Sequence, residues 1–256
     1  MEQKIRKFAD LILESKNIIA LTGAGMSTES GIPDFRSPGT GLWERMDPSF
    51  ADISYFKNNP TRFYQQMLEM GLNIIKAKPH AGHKALTRLQ KLGKLEGIIT
   101  QNIDGLHIRA RTKNIAEMHG NIREAVCMKC SQIYPITTLV NQVFNGKLTP
   151  ECTECGGVLK VNAVFFGEML PEKALVKADE LISNCDLMII LGSSLTVMPV
   201  SFMPYRALTN DNNAKLVIIN REKTNMDRQC LVVIHDSIAD VLPKIVDLVE
   251  KELKNK

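Results

Sequence analysis

Long apolar runs are absent from this chain. None approaches the roughly 20 residues that a membrane-crossing helix needs, and the longest, such as Leu187–Leu191, have the length of a buried strand. The opening stretch MEQKIRKFAD is charged and has no apolar centre, so it does not read as a secretory leader. Charge of one sign is scarce too: 32 basic residues against 28 acidic ones leave a net +4, too little to argue for nucleic acid. Hydrophobic residues at 44% and charged residues at 23% make an ordinary globular balance, which removes disorder as the default reading. No internal repeat or low-complexity segment stands out. These absences point to a cytoplasmic protein with no membrane partner and no direct nucleic-acid partner. At 256 residues the chain is long enough for a core domain with a smaller one attached.

What is present is an alternation of strands and helices. Continuous apolar runs at residues 17–22 (NIIALT), 97–100 (GIIT), 186–192 (DLMIILG), 215–220 (KLVIIN) and 230–234 (CLVVI) predict strands covered on both faces. Helical spacing predicts an opening helix over residues 2–15 through Ile5, Phe8, Leu11 and Ile12, and further helices over 79–92, 171–183 and 239–253. Pro171 suits a first helical turn. The fold class is therefore α/β, a Rossmann-like, doubly wound parallel sheet. Two stretches break the alternation, a loop and helix over residues 34–78 and a cysteine-rich segment over 127–157. They predict a small domain with a helical insert (37–76) and a zinc-binding module (123–159). The Rossmann-like domain is left with residues 1–36, 77–122 and 160–256.

Cys127-x-x-Cys130 and Cys152-x-x-Cys155 are separated by 21 residues. Two such knuckles can each grip one edge of a tetrahedral zinc ion through thiolates, and Gly156-Gly157 allows the turn that aims the second pair inward. The alternative, two disulfides, is disfavoured in a cytoplasmic chain. Four thiolates fill the coordination sphere, so the zinc is expected to be structural. Cys185 and Cys230 lie beside apolar runs and read as small buried hydrophobes.

Gly23-Ala24-Gly25 directly follows a predicted strand, where a glycine turn lets backbone N–H groups approach a phosphate. On its own this is a weak signal. A dinucleotide fingerprint would place a third glycine where Thr28 stands, and an acidic residue about 20 positions on at the end of the next strand. Instead GIPDFR (residues 31–36) follows, and the next strand comes only near Gly97. This is not an ordinary dehydrogenase unit.

Five motifs in order carry a resemblance: TGAGMSTESGIPDFR (residues 22–36), TQNID with Leu106-His107 (100–107), His119-Gly120, FFGE (165–168) and GSSL (192–195). Together, with the cysteine knuckles between the third and fourth, they resemble the sirtuin family in its bacterial type over nearly the whole chain. The resemblance implies an NAD-dependent protein lysine deacetylase acting on acetyl-lysine proteins or peptides. Such an enzyme transfers the acetyl group to ADP-ribose, with NAD as co-substrate and one structural zinc per chain.

Residue by residue, the resemblance makes His119 the general base, and Asn102 catalytic beside it. Gly23, Ala24, Gly25 and Thr28 would lie against the NAD phosphates and ribose. Phe35 and Arg36 would belong to the mobile cofactor loop, whose ring shields the reactive sugar carbon from water. Gln101, Asn102, Ile103 and Asp104 would line the nicotinamide pocket, and Gly192, Ser193, Ser194, Asn220 and Ile238 the adenosine half. Val164, Phe165, Phe166, Gly167 and Glu168 would pair with the substrate backbone on one side and Val197 on the other. One of the Phe165 and Phe166 rings is expected to line the acyl tunnel. Relatives that take acidic acyl groups carry a tyrosine and an arginine near the positions of Met67 and Met70, so an apolar acyl group is expected.

Other histidines weigh against over-reading. A lone histidine is more often structural than catalytic, and His107 is expected to order its loop. His80 and His83 flank a helix start and are expected at the surface or in a cap; His235 has no assignment. Mono-ADP-ribosylation and a non-catalytic NAD sensor are the competing readings, with a dehydrogenase a distant third. The chain is expected to act as a monomer.

Overall fold

The computed structural model describes residues 1–255, and of Glu69 the backbone alone. Nine strands and nine α-helices are found among the described residues. Strands β1 (Ile18–Thr22), β2 (Leu95–Thr100), β3 (Ile115–Glu117), β7 (Leu187–Leu191), β8 (Lys215–Ile219) and β9 (Val232–Ile234) form one sheet in the order β3-β2-β1-β7-β8-β9. Every pairing in it is parallel. The chain therefore winds outward in two directions from β1, and β1/β7 is the switch point where such sheets open a crevice. The two edge strands have three residues each, and β3 is too short for its apolar content to announce it.

Alternation within the strands builds two cores from one sheet. Leu187, Ile189 and Leu191 of β7 face one layer, with Phe8 and Ile12 of α1 (Glu2–Glu14), Leu86 of α4 (Ala81–Lys91) and Ile245 of α9 (Ile238–Lys254). Met188 and Ile190 face the other, with Leu181 of α7 (Glu172–Asn184) and Met203 of α8 (Met203–Leu208). Pro171 stands just before the first turn of α7, at its N-cap.

The two expected inserts are built as follows. Residues 53–76 form α2 (Ile53–Asn58) and α3 (Pro60–Lys76). After α5 (Leu106–Arg109), the strands β4 (Gly120–Cys127), β5 (Ile133–Pro135) and β6 (Leu159–Ala163) make a second, antiparallel sheet in the order β5-β4-β6, with α6 (Ile136–Phe144) alongside. Phe56, Phe63 and Tyr64 from the first insert and Ala125, Leu139, Val143 and Leu159 from the second share one core. The Tyr64 hydroxyl donates to Leu159 O across it (2.6 Å). No helix among the described residues is long and apolar enough to cross a membrane.

Candidate active site

The crevice lies where the loops after β1 and β2 meet the small domain, with the loop after β7 packed against both. Its rear wall is main chain on main chain. Gly23 N donates to Leu191 O (3.1 Å) and Gly25 N to Gly192 O (2.8 Å). A Cβ on Gly23 would stand 2.8 Å from Gly192 O, and one on Gly192 2.2 Å from Met26 N, so only glycine lets the loops after β1 and β7 touch. Ala24 opens a single 3-10 turn that lines the cleft, and Thr28 opens the next, its hydroxyl donating to Gly25 O (3.1 Å).

The loop after β2 is held by polar groups that the sequence did not single out for this task. Thr22 and Thr100 are register partners, and the Thr22 hydroxyl donates to Thr100 Oγ1 (2.8 Å). Thr100 Oγ1 in turn accepts from Asn102 N (3.1 Å). Asn102 Nδ2 donates to Gly23 O (2.9 Å) and Ser27 Oγ (3.1 Å). Ser27 Oγ and Leu106 N both donate to the buried Asp104 carboxylate, each at 2.7 Å. Burial raises the Asp104 pKa, against the pull of those two donors. Gln101 Nε2 donates to Ser193 Oγ (2.9 Å), tying the β2 loop to the β7 loop.

His119 ends the turn before β4. Its Nδ1 lies 3.0 Å from Gln101 O, and a carbonyl can only accept, so Nδ1 carries the proton and Nε2 keeps the lone pair. Burial lowers the ring's pKa, which the Gln101 carbonyl partly offsets. The imidazole is therefore neutral at neutral pH and lines the same cavity as Asn102 and Asp104. The next residue must be glycine: Gly120 has φ +71°, and a Cβ there would lie 2.1 Å from Asn162 O.

The cavity, of about 310 Å³, runs from Ala24, Gln101 and Asp104 past His119 to an apolar end between α3 and α6. Phe165 lines it, as do Met67 and Met70, while Phe166 faces out at 48% exposure. No lysine or arginine lines it among the described residues. Phe35 also lines it, half-exposed, its ring 5.1 Å from that of Trp43; Arg36 is exposed beside it.

Several main-chain groups of residues 164–168 are already engaged. Val164 N donates to His119 O (2.9 Å) and Phe166 N to Ala51 O (2.7 Å), while Phe166 O accepts from Ile53 N (3.0 Å). Val164 O and both main-chain groups of Gly167 have no hydrogen-bond partner among the described residues. In the segment after β7, Val197 O accepts from Ser201 N (2.9 Å). Asn220, at the end of β8, donates through Nδ2 to Glu222 O (2.6 Å), and His235 binds its carbonyl. Ser194 is exposed, its hydroxyl 3.0 Å from that of Thr196. Ile238 begins α9 with its side chain in the core, so only its backbone can reach the cleft.

The four knuckle cysteines converge at the far end of the small sheet. All four Sγ atoms lie within 4.8 Å of one another, with Cys127–Cys155 at 3.5 Å and Cys130–Cys152 at 3.7 Å. A tetrahedron with zinc–sulfur bonds of about 2.3 Å has sulfur–sulfur edges of about 3.8 Å. The donor set therefore fits one structural zinc. Lys129 N and Cys130 N donate to Cys127 Sγ, and the Tyr134 hydroxyl lies 3.0 Å from Cys152 Sγ, the outer contacts that orient such ligands.

His80 caps α4, as expected, its Nδ1 accepting from Gly82 N (2.9 Å). His83 corrects the expectation: it is fully buried, and neither ring nitrogen has a partner among the described residues. It sits 4.9 Å from the His107 ring, which is also buried and lies 3.0 Å from Thr22 Oγ1 through Nε2. Burial, reinforced by neighbouring imidazoles, pushes His83 down to about 2 and His107 to about 3. The unfolded rings titrate near 6.5, so below that pH the unfolded chain binds protons that the folded one refuses. Stability then falls by about 1.4 kcal/mol per histidine per pH unit, or about 4 kcal/mol between pH 7 and pH 5. Urea unfolding at the two pH values measures this, and His83→Phe should remove about half of the loss; an unchanged loss in the variant would contradict it.

Comparison with known proteins agrees with this geometry. Residues 23–199 match the Sir2 family. The chain is 40% identical to an NAD-dependent protein deacetylase of Thermodesulfovibrio yellowstonii over 98% of its length and 97% of the relative's. It is 41% identical to one of Caldivirga maquilingensis, over 97% and 93%. A solved complex of Sir2 with a p53 peptide and NAD+ superposes with a TM-score of 0.87 at 36% identity, covering 98% of this chain and 99% of that one. A Sir2 bound to acetylated peptide superposes at 0.86 and 34%, covering 98% and 99%.

Proposed function

The chain belongs to the Sir2 family, and on that premise we propose how its cleft works as an NAD-dependent protein lysine deacetylase. The reaction moves the acetyl group of acetyl-lysine to ADP-ribose and releases nicotinamide and O-acetyl-ADP-ribose. The observation that carries this reading is His119: a neutral imidazole, Nδ1 tethered to a main-chain carbonyl, in a cavity that joins the glycine loops to an apolar tunnel.

His119 takes the proton from the sugar hydroxyl once the acyl oxygen has attacked; an imidazole of lowered pKa is unprotonated for this at neutral pH. Asn102 and Asp104 hold the nicotinamide carboxamide, with Gln101 and Ile103 completing that pocket. Gly23, Ala24, Gly25 and Thr28 take the phosphates, and Phe35, beside Arg36, shields the sugar carbon. Gly192, Ser193, Ser194, Asn220 and the Ile238 backbone hold the adenosine half. The acetylated peptide lies extended between Val164–Glu168 and Val197, using the free main-chain groups of Val164 and Gly167. Residues 37–76 and 123–159 act as one small domain, a division that their shared core supports. The protein works as a cytoplasmic monomer without nucleic acid.

Mass spectrometry of an acetyl-lysine peptide incubated with NAD tests the reading. Deacetylated peptide with O-acetyl-ADP-ribose is the expected result, and ADP-ribosylated protein without deacetylation would overturn it. Acyl choice follows from the tunnel wall. A succinyl carboxylate buried there meets no lysine or arginine among the described lining residues, so kcat/KM for succinyl-lysine should be at least about 100-fold below that for acetyl-lysine. Comparable turnover of the two peptides would sink this. The tunnel also passes Gly71 of α3, where a Cβ would meet nothing within 4 Å. Octanoyl-lysine should therefore be accepted, and Gly71→Phe should depress its turnover more than that of acetyl-lysine.

A further inference from the structure

Among the described residues Lys160 is the one lysine or arginine in the buried interior, its side chain 3% exposed. Taking an ammonium out of water costs several kcal/mol unless every proton is matched. Here they are matched. Nζ donates to Ala163 O (2.5 Å) and Val161 O (3.1 Å), pairs with Glu168 Oε2 (3.0 Å), and stands 4.2 Å from the centre of the Phe165 ring. The same Glu168 oxygen accepts from Phe165 N (2.8 Å), and Glu168 N donates to Phe165 O (3.0 Å).

These contacts close a ring around the turn that leaves β6. Lys160 fastens its beginning at Ala163, Glu168 its end, and the two meet beneath Phe165. A main-chain donor that could have faced a peptide, Phe165 N, is turned inward onto a carboxylate. Val164 O and the Gly167 peptide groups remain outside. The Phe165 ring, against the ammonium, is also 5.4 Å from Phe63 and 5.9 Å from Phe56, so the tunnel wall is set by the same clasp.

We propose that Lys160 and Glu168 are positioning residues for the acyl-lysine peptide, their ion pair fixing both the edge that pairs with the peptide backbone and the Phe165 wall of the acyl tunnel. The proposal rests on the deacetylase reading of the cleft. It assigns the pair no contact with NAD, so its loss separates peptide binding from co-substrate binding.

The test compares Lys160→Met, Lys160→Arg, Glu168→Gln and the Lys160→Met/Glu168→Gln double variant with the parent. It measures equilibrium binding of an acetyl-lysine peptide, steady-state KM for peptide and for NAD, and thermal melting. Lys160→Met and Glu168→Gln should each weaken peptide binding and raise peptide KM by about tenfold, the effect of one lost charge-assisted contact set, with KM for NAD within twofold. Lys160→Arg should restore most of the affinity, because a guanidinium reaches the same acceptors. The double variant should be no worse than either single one, since both break one clasp. Glu168 is partly exposed, so Glu168→Gln and Lys160→Arg carry the test if Lys160→Met fails to fold. Unchanged peptide affinity in Glu168→Gln, or KM for NAD rising in step with that for peptide, would overturn the proposal. A parent that binds the peptide without deacetylating it refutes the deacetylase reading alone, because the affinity shifts still decide the clasp.

Discussion

His119→Ala is expected to lower acetyl-lysine peptide turnover by about 10²- to 10⁴-fold, the range that a positioned general base supplies. The variant keeps the cleft. Gln101, whose carbonyl holds the ring, is fixed independently by its own N–H to Thr22 O (2.9 Å) and by Nε2 to Ser193. KM for NAD should therefore stay within a few-fold of the parent's. The pH profile carries the same information. The base must be unprotonated, and burial holds its pKa below the ordinary value. Turnover should rise with pH through a midpoint below about 6.5 and then level, and His119→Ala should lose that limb. Turnover within tenfold of the parent's, measured as O-acetyl-ADP-ribose by mass spectrometry, would remove His119 from its assigned role.

Removal of the zinc is expected to cut activity strongly without the metal touching the chemistry. The knuckles lie at one end of the β4/β6 pair, where Cys127 is the register partner of Leu159. At the other end Gly120 partners Ala163. His119 precedes Gly120, and the segment proposed to pair with the peptide begins just after Ala163. On β6 only four residue steps, Leu159 to Ala163, separate the two ends, roughly 13 Å, still too far for direct catalysis. Structural zinc sites contribute about 10–16 kcal/mol in small peptides, and the module has little core of its own to replace that. Chelation, or Cys152→Ser, should release one zinc per chain, lower the melting temperature and cut turnover at least about tenfold. A metal-free protein with unchanged melting and turnover would show that the four thiols hold nothing the fold needs.

The parallel sheet was legible because strands covered on both faces are uninterrupted apolar words. The antiparallel sheet was not, because β4 mixes buried and half-buried residues around the exposed Arg123 and ends on the metal ligand Cys127. His83 was misread from its place near a helix start. Its spacing, three and four residues before the buried Leu86 and Thr87, already turned it inward. Glycine loops, knuckles and the His119 motif announced themselves through residue type and order. Thr22, Ser27 and Thr100 did not, because a hydroxyl becomes a scaffold only when the fold sets it against a partner from another strand. Lys160 was invisible for a different reason: a charged residue on a strand reads as solvent-facing until its acceptors are seen.

The glycine contact between the loops after β1 and β7 leaves no slack behind the crevice. Two backbones that already touch cannot be pressed together, and the sheet that anchors them is packed on both faces. One jaw of the vice is thus cast in place. Any tightening around a substrate has to come from the other jaw, the stretch from Phe35 to Trp43 and the helices beyond it. The sheet sets where any grip falls.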